Sequence, residues 1–135
     1  MPTAVSYPIG RTIGFNVGVG MHDLSALASG NGWSSASIAA HAGGARALAT
    51  PVRQAITLIA VCATAGDSVM LPPATGGQLL WLINAGAASA QMFADASTSD
   101  TINGVAAATG VALAAGKSIT LVSPISGAWF GVLSA

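Results

Sequence analysis

After Pro51 the chain is cut into short apolar runs by residues that end regular structure, and this cadence limits what it can fold into. Pro72-Pro73, Gly76-Gly77, Gly86, Asn103-Gly104, Gly116 and the stretch Pro124 to Gly127 recur at close spacing. Proline lacks a backbone donor and glycine reaches φ values closed to other residues, so such positions stop strands and build turns. Between them lie Gln54 to Cys62, Ser68 to Leu71, Gln78 to Asn84, Ala90 to Ala94, Val111 to Ala114, Ser118 to Ser123 and Ala128 to Leu133. These runs are too short for stable isolated helices, and several short strands at regular spacing imply a sandwich or barrel. The pattern predicts an all-β fold, a small antiparallel β-sandwich or barrel of jelly-roll type over residues 51–135. The alanine-rich stretch Val105 to Ala115 has helix-forming composition, but Gly104, Gly110 and Gly116 divide it, and strand and loop are expected there.

Two local readings are sharper. A type I′ turn needs positive φ at two successive positions, and Asn103-Gly104 meets that at low cost. In the run Leu79 to Ile83 apolar residues occupy both faces of a strand, Leu79, Trp81 and Ile83 on one and Leu80 and Leu82 on the other. One face of a sandwich meets the core, so the other calls for a second cover, expected to be another subunit.

Residues 1–50 read differently, with glycines at positions 10, 14, 18, 20, 30, 32, 43 and 44 interrupting any long period. An irregular, extended N-terminal arm is expected, with a strand where Ile13, Phe15, Val17 and Val19 alternate with smaller or polar residues and a brief helix over 34–42. Its apolar teeth separate it from a disordered tail, which has low hydrophobicity. Such an arm is expected to dock on a partner by adding a strand to an exposed edge, with Ile13, Phe15, Val17 and Val19 as anchors. Arg11, Arg46 and Arg53 are candidate partners for carboxylates, with a solvated surface charge as the plain alternative.

Composition enters where solubility does. Only 6% of residues are charged and 53% are hydrophobic, against roughly 25% charged in an average domain. A surface so poor in charge is weakly protected against association, which is the composition of an assembly subunit. Four Lys and Arg residues against four Asp, and a net charge of zero, give no basic cluster for nucleic acid or for an anionic membrane. The apolar stretch Ala55 to Ala65 is too short to span a bilayer, and Met1 to Gly14 lacks the pattern of a signal peptide.

Residues 66–135 carry an ordered series: Gly66-Asp67-Ser68-Val69-Met70-Leu71-Pro72, Leu82-Ile83-Asn84-Ala85-Gly86, Asp100-Thr101-Ile102-Asn103-Gly104, Leu113-Ala114-Ala115-Gly116-Lys117-Ser118 and Gly127-Ala128-Trp129. In order and spacing this series resembles a module of tailed-phage structural proteins, over about half the chain. The resemblance implies a β-rich virion module, commonly trimeric, used in capsid decoration proteins, head fibres and tail-associated fibres. It implies synthesis in the bacterial host cytoplasm and a final place in the virion, on the capsid surface.

Catalytic chemistry finds little to work with. The two histidines, His22 and His41, lie in the glycine-rich arm, and no G-x-S-x-G elbow occurs. There is no glutamate for a carboxylate pair and no phosphate-cradling loop. The single cysteine, Cys62, sits in an apolar run and reads as a small hydrophobe. Asp95, Asp100 and Asn103 supply oxygens of the kind calcium takes but lack EF-hand spacing. The expectation is a protein that is not an enzyme and holds no cofactor or metal. It is expected to be a homotrimeric capsid decoration protein that binds the major capsid protein. The alternatives are a head or tail fibre module for a host receptor or glycan, with Trp33 as the ring for sugar contact, and a tail or baseplate component.

Overall fold

The computed structural model describes residues 34–135, and Ser35–Ala135 form one compact unit. The fold is all-β. Its strands are β1 (Ser35–Ala39), β2 (Thr50–Pro51), β3 (Ile56–Val61), β4 (Ser68–Met70), β5 (Gln78–Asn84), β6 (Ala90–Phe93), β7 (Thr101–Ile102), β8 (Val111–Leu113), β9 (Ser118–Ile125) and β10 (Ala128–Leu133), with one 3-10 turn at Arg46–Leu48. They form a six-stranded sheet in the order β1-β3-β5-β9-β10-β7 and a four-stranded sheet in the order β2-β4-β6-β8.

From β1 to β9 the chain alternates between the two sheets at every step. In the first half the neighbours this creates are parallel: β1 with β3, β3 with β5, β2 with β4, and β4 with β6. The chain therefore winds as a short β-solenoid. Ser35 lies opposite Ile56 and Ile56 opposite Trp81, so each turn of the coil takes between 20 and 25 residues or so. Antiparallel pairing enters with β5–β9, β9–β10 and β6–β8. Among the described residues five of the eight pairings are parallel, so the expected antiparallel jelly roll is not the topology that forms. The physical reason is that loops long enough to cross between sheets let each strand return beside its predecessor in the same direction, which a two-residue hairpin forbids.

The core lies between the sheets. Ile59, Leu80, Leu82, Ile119, Leu121 and Trp129 face it from the larger sheet, and Val69, Ala90, Met92 and Leu113 from the smaller. Period two sets this: in β5 the even residues Leu80, Leu82 and Asn84 are buried while Trp81 and Ile83 are exposed. Stacked turns of the coil approach closely at Gly86, where an added Cβ would lie 2.5 Å from the Cys62 backbone nitrogen. The expected I′ turn is present, with Asn103 at φ 52° and Gly104 at φ 78° and paired amides between Ile102 and Val105.

Two expectations for the N-terminal half change. The brief helix over 34–42 is instead the strand β1, because Ala36 and Ile38 alternate with exposed Ser35, Ser37 and Ala39 and pairing with β3 outweighs the weak helix preference of alanine. Within the expected arm of residues 1–50, β1 and β2 are paired into the two sheets.

Candidate functional site

The residues of the ordered series over 66–135 share one kind of work, which is holding turns and strand ends together. Asp67 follows Gly66, whose φ is +96°, and its buried carboxylate accepts from the amides of Gly43 at 3.1 Å, Ala63 at 2.9 Å and Thr64 at 2.9 Å. The Thr64 amide, then that of Gly43, hold this carboxyl below its ordinary range; burial opposes them, and the Ala63 amide and the charge of His41 assist. Asn84 is fully buried and satisfied: its amide donates to the carbonyls of Ala88 at 2.9 Å and Leu113 at 2.8 Å, and its oxygen accepts from Gly86 at 3.0 Å. The Asp100 carboxylate caps the Ala74 amide at 2.7 Å. The Asn103 side chain pairs both ways with the backbone of Gly131, at 3.1 and 2.8 Å, and so takes the place of a neighbouring strand there. Trp129, wholly buried, donates its indole N–H to the Pro72 carbonyl at 3.1 Å.

The surface that stands out is the outer face of the six-stranded sheet. Registers place its side chains in rows across the strands. One row runs Ser37, Leu58, Ile83, Ser118; the next runs Ser35, Ile56, Trp81, Thr120, Val132; the third runs Leu79, Val122, Phe130. Leu58, Trp81, Ile83, Val122, Phe130 and Val132 are all exposed, Val132 at 76%. Serine and threonine end the rows or sit among them, and none of these positions carries a charge. Trp81 donates its indole N–H to the Thr120 hydroxyl, so two neighbours on this face are tied together. Trp81 is therefore not a core residue, whereas Trp129 is.

The anticipated partner-binding residues fare unequally. Arg11, Ile13, Phe15, Val17, Val19 and Trp33 lie outside the described residues, as does His22. Arg46 is described, and its guanidinium is occupied within the chain, donating to the carbonyls of Ala94 at 3.1 Å, Thr98 at 2.6 Å and Asp95. It ties the loop after β6 to the 3-10 turn and is thus not a free fork for a partner's carboxylate. Arg53 is exposed beside a shallow hollow lined by Pro51, Met70, Leu71, Pro73 and Asp95. The structure does not bring Arg46 and Arg53 together on the large apolar face.

The groups with chemical potential are separated. Cys62 is buried, and burial followed by the nearby Asp67 charge pushes its thiol pKa up, away from the reactive thiolate. Asp95 accepts from the Ser97 amide at 2.9 Å, Asp100 from Ala74 and Asn103 from Gly131, so these three oxygen-bearing side chains serve three different turns. Among the described residues no group of three His, Cys, Asp or Glu side chains is placed to share a metal ion, and no helix is long and apolar enough to cross a membrane.

Sequence reading located one strand of the apolar face, β5, from its doubly apolar pattern. It missed the rest. The signal was present in Ala128 to Leu133, where Trp129 alternates with Phe130 and Val132, and in Leu121-Val122, but joining them to β5 requires the registers. Comparison with models of known families, with curated proteins and with solved structures finds no match to this chain.

Proposed function

We propose that this chain is a non-enzymatic structural subunit of a tailed-phage particle, a homotrimeric decoration protein that binds the shell of major capsid protein. The observation that carries the reading is the outer face of the six-stranded sheet, a set of apolar rows with no charged member. Such a face suits permanent subunit contact, since obligate interfaces are more apolar than ordinary surface. The ordered series over residues 66–135 adds the particle. Its members Asp67, Asn84, Asp100, Asn103 and Trp129 serve the scaffold, which is what a module reused for assembly would keep.

The test is to mix the purified full chain with purified capsid shells and to image the product by electron cryomicroscopy. Regular density over the shell lattice is the expected result. Density confined to a vertex, tail or fibre would replace decoration with a fibre or baseplate role, and no density on any part of the particle would end the virion reading.

A further inference from the structure

We infer that the outer face of the six-stranded sheet is covered by a neighbouring copy of this chain, with Phe130 and Val132 at the contact. The inference deepens the self-association in the proposed function and rests on that part of it alone.

Area is the first argument. Leu58, Trp81, Ile83, Val122, Phe130 and Val132 lie between 37% and 76% exposed, which together leaves an exposed area on the order of 500 Å², in the upper part of the range for the largest patch on a monomer. A standard interface buries roughly 800 Å² per partner, and Ile56, Leu79 and the Ser and Thr side chains of the same rows extend the face toward that area. The face thus approaches the size of a stable contact and is apolar across its three rows.

Charge decides the occupant. The charged residues of the described chain are Arg46, Arg53, Asp67, Asp95, Asp100 and Lys117, and none lies in the three rows. A surface without charge meets its own copy without repulsion, whereas a heterologous protein partner is ordinarily selected by complementary charge, which this face does not offer. A lipid surface is disfavoured by the same count, because interfacial binding uses several Lys or Arg residues around the apolar face.

The test is sedimentation velocity of the full chain against Val132→Asp, Phe130→Asp and Leu48→Asp, with thermal unfolding of each to verify folding. Leu48 is 64% exposed in the 3-10 turn, away from the rows. The expected result is an oligomer for the parent and for Leu48→Asp, and association weakened at least about tenfold in both row variants, as for a charge left in a desolvated contact. Row variants that remain folded and assemble like the parent would overturn the inference. So would a monomeric parent; hydrogen exchange in β5, β9 and β10 would then say whether the face is covered by this chain's own residues 1–33 or only on addition of shells. Shell binding, measured separately, keeps the two proposals apart. An oligomer that depends on Val132 but ignores shells removes decoration and leaves this interface, and a monomer that binds shells does the reverse.

Discussion

The outer faces of the two sheets are built from similar strands and end in opposite states. On the four-stranded sheet the chain's own loops close over the surface. Ser68 donates to the Gly43 carbonyl at 2.7 Å, Gln91 to the Thr109 carbonyl at 2.7 Å, and Met70 accepts from the Ala96 amide through its sulfur. Gly110, at φ +71°, lies so near Phe93 that an added Cβ would sit 2.9 Å from the ring, which leaves Phe93 only 4% exposed. On the six-stranded sheet Phe130 and Val132 stand in the same relation to their strand, and among the described residues no such loop lies above them. The difference lies in the connections. Those after β1, β6 and β7 are long enough to fold back over the small sheet, while β9 and β10 are joined by a tight turn at Ser126-Gly127 that stays at the sheet's end. Whether an apolar residue becomes core here is thus decided by the length of a nearby loop as much as by its own hydrophobicity.

The largest effect that tests this contrast compares two adjacent residues of β10 that point to opposite faces. Trp129→Ala removes a fully buried ring and strands the Pro72 carbonyl, and a loss of about 3 to 5 kcal/mol in chemical denaturation is expected. A loss below about 1 kcal/mol would mean that the space between the sheets is not the packed core.

Next in size is the loop cover of the small sheet. Arg46→Ala takes the guanidinium from the carbonyls of Ala94, Asp95 and Thr98, of which Asp95 keeps the Thr98 amide and hydroxyl, and this is expected to cost about 2 kcal/mol. Arg46→Lys should recover only part of it, because one ammonium cannot reproduce the planar fork. Full rescue by lysine would show that the charge matters and the fork geometry does not.

These pairs also show what was legible from sequence. Strands β3, β4, β5, β6, β8, β9 and β10 follow runs bounded by glycine, proline or asparagine, and the Asn103-Gly104 turn is a direct steric consequence of two residues that accept positive φ. Strand β1 was hidden because Ser-Ala-Ser-Ile-Ala has a helix-forming composition, and its strand state depends on β3, some twenty positions away. Strands β2 and β7 are two residues each, shorter than any period that could reveal them. The coil itself was not legible, since direction and sheet membership belong to the connections and not to the strands. For the same reason Arg46 read as a candidate for a partner's carboxylate and could not be assigned to its three carbonyls, and Trp81 could not be separated from Trp129.

A smaller effect should show only in acid. Asp67 has a folded-state pKa held down by backbone amides and by His41. A depressed folded pKa means that the unfolded chain takes up the proton first. Its contribution is therefore present above the ordinary carboxylate pKa of about 3.9 and is lost as pH falls from there through the folded value. Thermal unfolding of the full chain should lose stability over that interval, and Asp67→Asn, already lacking the charge, should lose less. Parallel acid profiles for the two proteins would remove Asp67 as the clasp between Gly43 and the turn at Ala63-Thr64.

The smallest expected effect is the most discriminating, because it concerns the residue next to Trp129. Phe130 is 46% exposed on the apolar rows, so Phe130→Ala removes a ring only half covered within one chain, and unfolding of the dissociated protomer should change by about 1 kcal/mol, well below the loss for Trp129→Ala. In the assembled protein the same substitution takes an aromatic ring out of the contact, where large aromatic side chains carry a disproportionate share of binding energy. Stability should then fall with dilution more steeply for the variant than for the parent, since association adds to apparent stability by mass action. A Phe130→Ala protein whose unfolding is both weakened and independent of concentration would place this ring in the protomer's own core and erase the distinction between the two sheet faces.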